Sequence, residues 1–145
     1  MSHYMRLAVK GFGNVKASYL KKALKMMDAS YDVKMIKNVD GARPSAVYSK
    51  NGDYAGTTNA VLMKGEHPTS IQFLLARTDS GKVTLDVFGE DYRSEYGSLE
   101  KFTQTLRRNY SLVNVEEAAI TNNYRELQRH QEEDGTIVLR YEVAA

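Results

Sequence analysis

Ser98-Leu-Glu-Lys-Phe-Thr-Gln-Thr-Leu-Arg-Arg-Asn-Tyr110, joined through a Glu133-Asp-Gly135 turn to Thr136-Ile-Val-Leu-Arg-Tyr-Glu-Val143, is the stretch that decides the fold. Leu99, Phe102, Leu106 and Tyr110 follow a 3-4-4 spacing, which lines them along one face of a helix. Ser98 is placed to cap that helix, and Glu100 lies in its first turn, where the helix dipole favours negative charge. The pattern continues less regularly through Val113, Ala118, Ala119 and Ile120. Asn114 with Glu117 has the spacing of a capping box, so one kinked helix and two consecutive helices are both open. Asn122-Asn123 stops the pattern. Tyr124 to His130 and Thr136 to Val143 then read as a hairpin, with Ile137, Leu139, Tyr141 and Val143 on its buried face. The hairpin is expected to complete the sheet on which the helix lies.

Working back from this segment, Ile71 to Arg77 and Lys82 to Phe88 are strands joined by Thr78-Asp-Ser-Gly81. In the second, Val83, Leu85 and Val87 alternate with Thr84 and Asp86. Thr57 to Lys64 is a further strand, closed by Gly65-Glu-His-Pro68, so that the middle of the chain forms an antiparallel meander. At the start, Met5, Leu7 and Val9 alternate with Arg6, Ala8 and Lys10 as in a half-buried strand. After Gly11-Phe-Gly13 the period changes: Val15, Tyr19, Leu20, Ala23, Leu24 and Met27 share a helical stripe, and Asn14 is a candidate N-cap. Lys16, Lys21, Lys22 and Lys25 fall toward the other side, as on a solvated helix face. Tyr31 to Val39 is a second strand, with Val33, Met35 and Ile36 as its apolar positions. Asp40-Gly-Ala-Arg-Pro44 is a turn, Ala46 to Tyr48 a short strand and Asn51-Gly52 a tight turn. Gly89 to Gly97 reads as a polar, aromatic loop.

The 145 residues suit one domain, and a domain of this size buries roughly 70% of the surface its unfolded chain exposes. With 42% hydrophobic and 26% charged residues the composition is that of a soluble globular protein. Apolar runs are too short to span a bilayer, and the opening Met-Ser-His-Tyr-Met-Arg lacks the pattern of a secretory signal, so a cytosolic protein without membrane association is expected. The absence of cysteine removes disulfides, thiolate nucleophiles and sulfur-ligated metal centres. A net charge of +2 carries no whole-molecule signal for nucleic acid.

Phe102-x3-Leu106-x3-Tyr110, then Val115-Glu-Glu-Ala118, then Asp134-Gly-Thr-Ile-Val-Leu-Arg140 resemble the closing part of an uncharacterised family named for plastid hypothetical reading frame thirty-five. Its members occur in cyanobacteria, plastids, other bacteria and phages. The opening Met1-Ser-His-Tyr4 is similar to that family's start, and Asp91-Tyr-Arg93 stands near its Asp-containing strand-to-loop transition. The segment Asp40 to Lys64 departs from the family pattern. The resemblance implies a compact α+β domain of bacterial or phage type that associates with partner proteins, and no established activity.

Four groups of residues invite chemistry. Gly11-Phe-Gly-Asn-Val-Lys16 places glycines between a strand and a helix, where free amides with Lys10 and Lys16 would hold a phosphate. It lacks the third glycine of a dinucleotide fingerprint and the Gly-Lys-Ser/Thr of a P-loop, and a tight β-to-α turn is the favoured reading. His3, His67 and His130 have no one-face helical pairing, so no metal site is expected from them. Glu90-Asp-Tyr-Arg-Ser-Glu-Tyr96 holds carboxylates fit for acid–base work only if their environments separate their pKa values. Ten tyrosines, with Arg107-Arg108 near Tyr110, suit a partner interface, since Tyr and Arg bury large areas while keeping a polar end.

The expected architecture is therefore a single α+β domain: an antiparallel sheet of about five to seven strands with two or three helices packed on one face. The expected function is a non-enzymatic binding or adaptor protein without cofactor, metal or catalytic residue. It would engage a protein partner or a second copy through His3, Tyr92, Arg93, Arg107 and Arg108, with sequestration of a host protein as the phage-type version. The alternative is binding of a nucleotide or phosphorylated small molecule through Lys10, Gly11, Gly13, Asn14 and Lys16. Nucleic acid is less favoured, for want of a recognition motif. The most informative segments for function are expected to be the Gly11 turn, the Asp40 to Lys64 region and the Glu90 to Tyr96 loop.

Overall fold

The computed structural model describes residues 4–9, 13–36, 58–90 and 98–143. In chain order these form β1 (Tyr4–Val9), α1 (Ala17–Met27), β2 (Tyr31–Met35), β3 (Ala60–Lys64), β4 (His67–Arg77), β5 (Val83–Glu90), α2 (Leu99–Thr121), β6 (Tyr124–Gln131) and β7 (Ile137–Val143). The fold is α+β. Among the described residues, five strands make one antiparallel sheet in the order β1-β5-β4-β3-β2, and β6 pairs only with β7 in a separate two-stranded sheet. This corrects one expectation, since the hairpin does not complete the main sheet. The readings for Lys10, His3, Gly11, residues 37–57 and residues 91–97, with Tyr92 and Arg93, lie outside the described residues.

β2 to β5 run up and down as a meander, and β1 closes the far edge beside β5 with Leu7 opposite Val87 and Val9 opposite Leu85. Alternation along these strands sends Val9, Leu85, Val87, Phe73, Leu75, Ala60 and Leu62 to the side covered by the helices. There they meet Leu20, Ala23 and Leu24 of α1 and Leu99, Phe102, Leu106, Tyr110 and Val113 of α2, all nearly or fully buried. Gly89 lies at this contact: a Cβ there would sit 3.0 Å from Leu99 Cδ1, so the strand continues through a position that the sequence assigns to a loop.

The helical stripes read from spacing are buried in α1 and in the first part of α2, whereas Ala118 and Ile120 of the later, less regular pattern are exposed; α2 is one uninterrupted helix of 23 residues, about 35 Å long at 1.5 Å per residue. Ser98 caps it as expected, accepting from the Lys101 amide at 3.1 Å. The start of α1 differs from expectation. Lys16, not Asn14, is its N-cap, and the Lys16 side chain makes no capping hydrogen bond. The Asn14 side-chain oxygen instead accepts from the Val83 amide at 2.8 Å, anchoring the turn to β5. In β2, Tyr31 is buried and Val33 half-buried, while Met35 and Ile36 are exposed; the described strand covers Tyr31–Met35, and the part of the expected strand from 37 to 39 lies outside the described residues.

Tyr110 links the two helices. Its hydroxyl accepts from the Lys16 amide at 2.8 Å, and its ring lies 6.1 Å from that of Tyr19. Burial raises its pKa above the ordinary tyrosine value of 10.0, only partly offset by the Lys16 amide. A raised acid pKa in the folded state means that Tyr110 contributes stability below pH 10.0 that is lost as pH rises through its folded pKa. Tyr110→Phe is expected to lower stability by about 1 kcal/mol, the net worth of one hydrogen bond, and to flatten the alkaline limb of stability against pH. Urea unfolding from pH 8 to 11 checks both; an unchanged alkaline limb would contradict this role.

The far face of the sheet is also partly buried. Phe88 and Leu74 are closed to solvent, and Asp86 is 9% exposed although the alternation assigns it to the solvated side. The Arg6 Nε donates to its carboxylate at 2.6 Å, with the guanidinium 5.6 Å from the Phe88 ring centre, which compensates the buried charge.

Candidate binding groove

The hairpin stands against the side of α2 turned away from the main sheet. Arg129 with Glu116, and Arg108 at the turn, join the two. Arg129 of β6 pairs with Glu116 of α2 and with Glu126 of its own strand, its Nε donating to Glu126 at 3.0 Å. These carboxylates, Glu126 first, hold the Arg129 proton more firmly than usual. At the turn, Gly135 has φ +90°, a left-handed conformation open to glycine, and a Cβ there would lie 2.7 Å from the Arg108 Cζ. The Arg108 guanidinium therefore rests on the bare glycine.

Between α2 and β7 this leaves a groove with a cavity of about 480 Å³, within the range of roughly 300–1,000 Å³ typical of binding pockets. Leu112 and Val115 from α2 with Ile137 and Leu139 from β7 form its apolar floor, and Gln104, Arg107, Arg108, Ser111 and Thr136 supply polar groups around it. Positions 104, 107, 108, 111, 112 and 115 recur every three or four residues, so they share one face of α2. Val115 is 44% exposed on this open floor. A second hollow of about 250 Å³ lies farther along α2, between Ile120 and the hairpin tyrosines Tyr124 and Tyr141.

Arg107 and Arg108, chosen from sequence, are thus brought to one surface with the hairpin. The residues that make the floor were missed as site residues. Ile137, Leu139 and Tyr141 carried a one-sided alternation that predicts burial, whereas they are only half-buried, because the hairpin covers α2 alone and not the sheet. The signal was β6: Tyr-Arg-Glu-Leu-Gln-Arg-His-Gln has no alternation, and all eight residues are exposed.

The glycine turn has a different character. Gly13 adopts φ +66°, but the Val15 amide donates to the Val83 carbonyl at 3.0 Å and the Lys16 amide to Tyr110. Two of the amides that would face a phosphate are bonded within the fold. The Lys16 Nζ lies 4.9 Å from the Tyr19 ring centre. His67 and His130 lie on different sheets. Among the described residues no group of three or more His, Asp or Glu side chains is placed to hold a metal, and no helix is long and apolar enough to cross a membrane.

Acid is expected to loosen the hairpin turn through Asp134. Asp134 is held below its ordinary pKa of 3.8, chiefly by the Thr136 amide, which donates to Oδ1 at 2.9 Å, then by the Thr136 hydroxyl and the charge of Arg108. A depressed carboxylate contributes stability above pH 3.8 that is lost as pH falls through its folded pKa. The β6 and β7 amides are therefore expected to lose protection against hydrogen exchange below pH 4 before those of β4 and β5; simultaneous loss of protection would contradict it.

Compared with family models, with curated proteins and with solved structures, the chain matches none.

Proposed function

We propose that the chain is a non-enzymatic binding or adaptor domain whose groove between α2 and β7 takes an extended segment of a partner protein carrying acidic and apolar residues. The observation that carries this reading is the placement of Arg107 and Arg108 on the same helix face as the apolar floor of buried Leu112 and exposed Val115, facing Ile137 and Leu139. Arginine at an interface combines apolar burial with a forked donor set that matches a carboxylate. An extended segment suits a groove walled on one side by a strand, because alternate side chains then point to the floor. In the bacterial or phage setting implied by the family resemblance, the domain would hold or sequester a host protein.

Selection of random peptides displayed on particles against the immobilised chain tests this. Bound sequences are expected to be enriched in Asp or Glu next to alternating aliphatic or aromatic residues. Enrichment of basic peptides, or no enrichment over an unrelated domain, would contradict the reading.

A further inference from the structure

Among the described residues, neither strand of the hairpin has a second neighbour, and its two open edges differ. β6 carries a register shift between Glu126 and Gln128, leaving Leu127 without a cross-strand partner. Such bulges bend an edge away from further pairing. β7 runs Ile-Val-Leu-Arg-Tyr-Glu-Val, rich in the β-branched and aromatic residues that favour strands, without that protection. A two-stranded sheet is marginal in water, and added strands stabilise it.

We propose that β7 pairs antiparallel with β7 of a second copy of this chain, about a two-fold axis at Tyr141, joining the two hairpins into one four-stranded sheet. Charge selects both the occupant and the register. A two-fold axis normal to the sheet must pass through a residue of β7, since directly opposed residues share a face. Centred on Arg140, it would set two guanidinium groups face to face. Centred on Leu139, it would set Arg140 against Val138 and bring no opposite charges together. Centred on Tyr141, it sets Arg140 opposite the second copy's Glu142 twice. Within each chain Glu142 already pairs with Arg125 across β6 and β7. The joined sheet therefore carries Arg125, Glu142 and the second copy's Arg140 in one row of alternating sign, a favourable cross-strand arrangement. The overlap runs from Leu139 to Val143, so the Thr136 end of the groove stays open, and this dimer does not rest on the identity of the groove's partner.

Sedimentation equilibrium of the full chain over a wide concentration range tests it. A reversible dimer is expected. Arg140→Glu and Glu142→Arg each place like charges at both contacts and are expected to weaken dimerisation at least about tenfold. Mixing the two variants is expected to restore a dimer, because each copy then meets the opposite sign at both contacts. A monomer at every concentration, a dimer indifferent to both variants, or a mixture no tighter than either variant alone would overturn the proposal. A second measurement is independent of these charges. In this cysteine-free chain, Tyr141→Cys is expected to give a covalent dimer on mild oxidation, since opposed Cα atoms lie about 4.5–5.5 Å apart, while Val138→Cys, outside the overlap, is expected to give no covalent dimer. No cross-link at Tyr141→Cys, or equal cross-linking of both, would overturn it.

Discussion

Asn59→Ala is expected to lower the melting temperature by roughly 10–15 °C, taking about 3–4 °C per kcal/mol for a domain of this size. Asn59 is fully buried at the threshold of β3, and its side chain acts as an extra rung of the sheet. Its Nδ2 donates to the Leu75 carbonyl at 2.8 Å, and its Oδ1 accepts from the Leu75 amide at 2.9 Å. Its own amide donates to Phe73, and its carbonyl accepts from Ile36. Truncation strands both Leu75 backbone groups beside buried Phe73 and Leu75, at about 1–3 kcal/mol for each unsatisfied group. That sum is a large part of the roughly 5–15 kcal/mol that holds a typical domain together. Asn59→Asp is expected to be at least as damaging, because it sets an acceptor against the Leu75 carbonyl. Differential scanning calorimetry checks the size, and a fall of less than about 2 °C would contradict the assignment, at the same conversion of stability into temperature. Below its melting temperature the variant should bind groove peptides normally, since Asn59 is not among the residues lining the groove.

Reversing Arg107 and Arg108 together is expected to weaken binding of a selected acidic peptide by more than about a hundredfold, since a hydrogen bond to a charged group contributes about 1.5–3 kcal/mol. Both side chains are exposed at the edge of the groove; reversal of Arg108 is also expected to loosen the hairpin turn it rests on, so Arg107→Glu alone reads the effect on binding with stability little changed. The two need not contribute equally. Arg108 lies on Gly135 and beside Asp134, so its position is set by the hairpin turn. Wild-type affinity should also fall with added salt, because exposed charges are screened over a Debye length of about 8–10 Å. Fluorescence anisotropy with a labelled peptide measures this. Arg125→Glu, whose partner is Glu142 on the hairpin, serves as the charge control. An affinity within about threefold of wild type for the double reversal would remove the arginines from the site, since that is less than the contribution of one charged hydrogen bond.

The parts of this molecule that spacing revealed are those in which neighbours along the chain share one environment. Leu99, Phe102, Leu106 and Tyr110 lie on one helix face whatever covers it, and Asp134-Gly135 makes a turn by its local conformational preferences. The misread parts depend on partners distant in sequence. Asn14 has the chemistry of an N-cap, but its side-chain oxygen is taken by Val83, 69 positions away. Asp86 reads as a solvated strand residue until Arg6, 80 positions earlier, is brought beside it. Asn59 has no local signal because its partners belong to β4. The groove was half legible: Arg107 and Arg108 stood out by type, but its floor required knowing that the hairpin stands apart from the main sheet. Alternation at Ile137, Leu139 and Tyr141 tells that one face is covered, not by what.

The most direct test of the groove is a backbone amide titration of the isotopically labelled chain with an acidic peptide obtained by selection, followed by nuclear magnetic resonance. Shifts are expected at Arg107, Arg108, Ser111, Leu112, Val115, Ile137 and Leu139, with β2 and β3 unchanged. Shifts centred on the Gly13 to Lys16 turn, or on the exposed side of α1, with the α2 and β7 signals unmoved, would contradict the account.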